Sequence, residues 1–211
     1  SNGVYDFRRM VLNKDIPLFE SKSKILDLNN DGQKEIIYSG LSDNTEAGEL
    51  KLYIISANWT DLQLNDLPDV WGDIDTAGNR AISMDVIDQS SQITNLTASS
   101  YDFADYDLDQ DVDLVITGFN PSTGLETVLY DNETLEGEEL TLTNSNNNFV
   151  SARDGTTDFI DFDSDGDLDV IFTGTSAVGD IFEIYINKIN EGIKQWPRIE
   201  TNISGIRNSM I

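Results

Sequence analysis

Apolar residues fall in short alternating or continuous runs, many of them rich in β-branched and aromatic side chains, and Gly, Asn, Asp and Ser separate them. That period-two pattern with turn residues between segments is the mark of strands. It predicts strands over 22–28, 35–40 and 49–56, then over 98–104, 114–119 and 126–132, with either 139–145 or 148–152 as an outer strand. A last group covers 156–162, 170–174, 181–187 and 197–202. No segment carries a convincing amphipathic helical period, and no apolar run approaches the roughly 18 residues of a membrane span. The expected fold class is all-β.

Three of these groups share an acidic preface of fixed spacing. DLNNDGQKEIIYSG begins at Asp27, DYDLDQDVDLVITG at Asp105 and DFDSDGDLDVIFTG at Asp161. Acidic or amide side chains occupy positions 1, 3, 5 and 9 of each loop: Asp27, Asn29, Asp31 and Glu35; Asp105, Asp107, Asp109 and Asp113; Asp161, Asp163, Asp165 and Asp169. Oxygen ligands at alternating positions let a short loop wrap one hard cation, and Ca²⁺ accepts six to eight of them. Position 7, held by Gln33, Asp111 and Asp167, is expected to add its backbone carbonyl. Up to three Ca²⁺ are therefore expected. A second echo follows each loop at Leu52-Tyr53, Leu129-Tyr130 and Ile184-Tyr185, with Asn132 and Asn187 two residues after the Tyr in the later repeats.

A helix–loop–helix calcium site needs a bidentate Glu at position 12. Here that position is Tyr38, Ile116 or Phe172, inside a strand-like run, so the loop closes a β-hairpin instead. The segments resemble FG-GAP repeats of the VCBS type, with their D-x-D-x-D-G-x-x-D loop, following strand and later L-Y-x-N strand. The resemblance covers about 21–211, and the absence of Phe-Gly and Gly-Ala-Pro signatures makes it closer to bacterial secreted versions than to integrin-type members. It implies blades of a β-propeller, about three four-stranded repeats at roughly 21–94, 95–153 and 154–198, with 199–211 opening a next blade. Three units leave exposed sheet edges, so the chain is expected to be part of a larger propeller or one completed by self-association. Two residues depart from the motif: Gln110 replaces Gly at position 6, where positive φ is wanted, and Glu35 replaces Asp at position 9. The stretch Asp73–Gly78 looks like a decayed loop, but Ala77 and Ala81 stand at positions 5 and 9, so it reads as a plain turn.

Composition narrows the function. The net charge of −26 argues against nucleic acid and anionic membranes, since phosphate binding needs clustered Lys and Arg. There is no Cys and no His, which removes disulfides, Ser-His-Asp and Cys-His catalysis, and thiolate or imidazole zinc sites. Carboxylate loops suit the calcium of an extracellular or cell-surface setting. The expected function is a secreted calcium-binding module that binds or adheres to protein or carbohydrate, with no membrane insertion. An alternative is a polysaccharide lyase or hydrolase on a propeller scaffold, and a further one is a non-catalytic spacer. Trp59, Trp71 and Trp196 are expected to fill gaps between blades, or else to stack on sugar rings.

Overall fold

The computed structural model describes residues 10–12, 19–32, 34–42, 50–56, 80–82, 85–136 and 138–201. The Asp73–Gly78 turn, Trp59, Trp71, Gln33 and the tail beyond 201 lie outside these residues. Among the described residues every long element is a strand, and only two short 3-10 turns interrupt them. Strand β1 (Met10–Leu12) pairs in parallel with β5 (Arg80–Ile82). All other pairings are antiparallel and fall into three sheets that follow one another along the chain.

The first sheet orders β2 (Phe19–Leu26), β3 (Glu35–Leu41), β4 (Leu50–Ser56) and β6 (Asp85–Asp88). The second orders β7 (Thr97–Ala104), β8 (Asp113–Asn120), β9 (Gly124–Asn132) and β10 (Leu142–Asn144). In the third, β11 (Ala152–Arg153) and β12 (Thr157–Ile160) both pair with β13 (Asp169–Ser176), followed by β14 (Gly179–Tyr185) and β15 (Arg198–Ile199). Each acidic loop therefore joins the first strand of a sheet to its second. The alternative outer strand at 148–152 does not join the second sheet. Ala152 and Arg153 pair with Ser176 and Thr175, so the chain has already crossed to the third sheet there.

The sheets stack through alternating side chains. In β8, Leu114 and Ile116 pack toward the first sheet with Ile37, Leu52 and Ile54, while Val115 between them packs toward the third with Val170 and Phe172. Strand β9 does the same, with Val128 and Tyr130 on one side and Leu129 on the other. A strand buried on both faces reads as a continuous apolar run, which is why LVITG shows no polar alternation. The first strands of successive sheets are also joined directly. Asp102 of β7 meets the Lys24 ammonium of β2 and accepts a hydrogen bond from the Phe159 N–H of β12 at 3.0 Å.

The Gly that ends each apolar run has a structural cause. The first strand of every sheet is broken at the same place: the register shifts between Phe19 and Lys22 and between Thr97 and Ser100, and Asp154–Thr156 separates β11 from β12. The Gly on the partner strand lies against this irregularity. A Cβ at Gly118 would stand 2.9 Å from the Ser99 Cβ, and one at Gly174 would stand 2.6 Å from the Arg153 carbonyl oxygen. Gly174 also holds φ at +133°, a region closed to other residues. Gly174→Ala is expected to lose about 1–3 kcal/mol from backbone strain alone. Urea unfolding measures it, and an unchanged midpoint would mean that residue 174 does not hold that positive φ.

Candidate metal sites

The three loops adopt one backbone conformation. Position 4 is left-handed in each, at Asn30 (φ 56°), Leu108 (φ 65°) and Ser164 (φ 63°), and so is position 6, at Gly32 (82°), Gln110 (82°) and Gly166 (93°). The motif departure at Gln110 therefore changes the cost of the turn but not its shape. Two left-handed residues in alternation curl the loop so that its odd-numbered side chains converge.

Convergence brings three carboxylates together in each loop, with ligand oxygens within 4.8 Å of one another: Asp27, Asp31 and Glu35; Asp105, Asp107 and Asp113; Asp161, Asp163 and Asp169. In the first loop Asn29 adds an amide beside the triad, its Nδ2 donating to Asp31 at 3.3 Å. Position 1 also shapes the turn, since Asp27 accepts from the N–H groups of Asp31 and Gly32, and Asp105 from those of Asp109 and Gln110. Asp109 and Asp165 stand outside the triads and accept from the backbone N–H of Asp111 (2.9 Å) and Asp167 (3.2 Å). The side chains at position 7 serve neighbouring segments. Asp111 accepts from Asn30 Nδ2 at 2.7 Å, and Asp167 accepts from the Asn190 N–H at 3.2 Å.

The ninth residue is the deepest part of each site. Glu35, Asp113 and Asp169 are buried, and each accepts a hydrogen bond from the N–H at loop position 2: Leu28 at 3.0 Å, Tyr106 at 3.1 Å and Phe162 at 2.8 Å. In the second and third loops the other oxygen accepts from the Asn132 N–H at 2.9 Å and the Asn187 N–H at 2.8 Å. Those two asparagines then reach across to the preceding sheet. Asn132 Nδ2 donates to the Leu28 carbonyl at 2.9 Å, and Asn187 Nδ2 donates to the Tyr106 carbonyl at 2.7 Å. Each also donates to position 8 of its own loop, Val112 or Leu168. The asparagine echo in the sequence thus marks a clamp between successive acidic loops. In the first repeat the matching residue is Ile55, which cannot form it.

Crowding perturbs the acids. Burial pushes Asp113 up to about 8, against its two backbone hydrogen bonds, and the charges of Asp107 and Asp109 add to the rise. Burial likewise raises Glu35, Asp107 and Asp111, with neighbouring carboxylates contributing in each case. In the third loop burial lifts Asp167 to about 6, while the hydrogen bond from the Asp167 backbone holds Asp165 below the usual range. Two carboxylate oxygens, Oδ1 of Asp107 and Oδ1 of Asp167, are buried with no hydrogen-bond partner. A set made only of hard oxygen donors with a net negative charge fits a hard cation and not a soft metal.

No protein-family model matches the chain, no curated protein matches it, and no solved structure matches it. Three acidic triads that fit a metal ion are thus the chemistry the structure itself supplies.

Without metal, the folded chain binds more protons than the unfolded one between the ordinary carboxylate range and about pH 8, because Asp113 is held protonated. Stability therefore falls as pH rises through that window. In chelator, the melting temperature at pH 8 is expected to lie below that at pH 5.5, and Asp113→Asn should flatten the slope. A slope unchanged by that substitution would assign the effect to general charge repulsion.

Proposed function

We propose that the chain is an extracellular calcium-binding repeat module of the FG-GAP/VCBS kind, in which Ca²⁺ staples the hairpin loops of β-propeller blades that present surfaces to protein or carbohydrate. The observation that carries the reading is the threefold recurrence of one loop conformation with three converging carboxylates, each triad seated at the start of a sheet's second strand. The sequential stacking of antiparallel sheets of four, four and five strands supports the blade interpretation.

The residues at hand fit the ion. At an effective dielectric near 20, two carboxylates about 4 Å apart repel by roughly 4 kcal/mol. A divalent cation turns that repulsion into attraction, so binding energy becomes folding energy. Asp27, Asp31 and Glu35, then Asp105, Asp107 and Asp113, then Asp161, Asp163 and Asp169 would hold one ion each. Native mass spectrometry in calcium buffer is expected to show three ions per chain, lost with compactness on chelation. Asp161→Ala is the informative variant, because among the described residues exposed Asp161 has no structural hydrogen bond of the kind that ties Asp169 into the core. It should remove one ion and lower the melting temperature only when calcium is present. Three ions retained in that variant would sink the assignment.

Self-association is the second part of the proposal, and one face supports it. Position 2 is buried at Leu28 (0%) and Tyr106 (7%) beneath the following sheet, yet Phe162 is 48% exposed beside Ile160 at 43%. Asp158, at the place where Asp102 bridges two first strands, is exposed, and among the described residues no asparagine reaches the Phe162 carbonyl. Among the described residues this is the same docking surface that the first two sheets use, exposed on the third. Phe162→Asp is expected to shift a concentration-dependent dimer toward monomer in sedimentation velocity. A chain that stays monomeric at every concentration would end this part.

A further inference from the structure

A cavity of about 460 Å3 opens between the second and third sheets, beside the second acidic loop. The connector 145–149 between β10 and β11 lines it, as do residues 194–197 ahead of β15, the start of the loop at Tyr106 and Asp107, and Asp131 at the end of β9. Its size falls among small-molecule pockets, about 300–1,000 Å3.

Aromatic rings form part of the wall, and their positions are already fixed. Half-buried Trp196 meets Phe149 edge-on at 5.1 Å between ring centres and lies tilted by 45° against Tyr106 at 5.5 Å. Trp196 is thus a gap filler on one side, as expected from the sequence, and a lining group on the other. Polar groups of every kind stand around it. Asp131 accepts the Tyr106 hydroxyl hydrogen and keeps acceptor capacity to spare. Lys194 makes no ion pair among the described residues, and the Gln195 side chain offers both a donor and an acceptor.

That combination selects a ligand class. An anion meets one ammonium in a chain of net charge −26, which disfavours it. A cation would share the cavity with Lys194. An apolar ligand would strand the carboxylate and amides without partners. A sugar ring has an apolar C–H face for an aromatic platform and hydroxyls that donate and accept around its edge. We propose that the cavity binds a hexose unit of a neutral glycan, with Trp196 against the ring and Asp131, Lys194 and Gln195 on its hydroxyls. This rests on the carbohydrate-binding side of the function proposed above and adds its site.

Saturation-transfer NMR on the calcium-loaded chain tests it, with glucose, galactose, mannose, N-acetylglucosamine, cellobiose and lactose as probes. At least one sugar is expected to receive saturation. Trp196→Ala should weaken it by about tenfold, the loss of one aromatic contact. Trp196 also touches the core, so Lys194→Ala and Gln195→Ala, both on exposed side chains, serve as variants that leave the fold alone; each should weaken binding several-fold. No transfer to any probe, or transfer unchanged in all three variants, overturns the proposal. Ion counts from the same samples separate the two readings: calcium bound without sugar ends only the cavity assignment, whereas no calcium ends the metal reading itself.

Discussion

A carboxylate with both oxygens inside a protein costs several kcal/mol unless donors answer it. In Asp113 and Asp169 the donors are backbone N–H groups from two separate segments, the start of the same loop and the strand end two residues past the repeat's tyrosine. One side chain therefore fixes the mouth of the loop, the first residue of the second strand and the end of the third strand. The sheet cannot slip by one residue without leaving that buried carboxyl group unpaired. Strand register, usually set by which face is apolar, is here also set by a buried acid.

Connections between sheets depend on the same corner. The asparagine whose N–H satisfies the acid uses its side-chain amide to hold the preceding loop's carbonyl. At the first strands of the sheets, Asp102 joins its neighbours on both sides. Two attachment points far apart on each sheet define an angle between sheets, and the apolar clusters fill the space so defined. Loop geometry and sheet packing are parts of one construction.

Much of this was legible in the sequence, because its causes are local. The odd-position acids, the β-branched runs and the hairpin placement of the loops follow from residues close together in the chain. Glycines ending each run were visible too, although their reason, a broken partner strand, was not. Contacts spanning long separations leave no local mark: Asn132 reads as a repeat echo, while its acceptor lies 104 residues earlier at Leu28. The side-chain roles of Asp111 and Asp167 were hidden likewise, since both bond to residues in other turns. The choice between 139–145 and 148–152 could not be made locally, because both runs are strand-like and only the crossing to the third sheet separates them. A cavity walled by several distant segments leaves no trace in sequence spacing at all.

Each asparagine clamp points one way, from a repeat to the loop before it, and it engages a backbone carbonyl rather than a particular side chain. Leu28 and Tyr106 are different residues, yet they present the same acceptor to the same donor. The joint is thus indifferent to most of the sequence it connects. A chain assembled on such joints can gain or lose a whole unit by duplication or deletion, provided the new neighbour brings its Asn and its acidic loop. Surface residues between the joints are then free to diverge from copy to copy without renegotiating the fold.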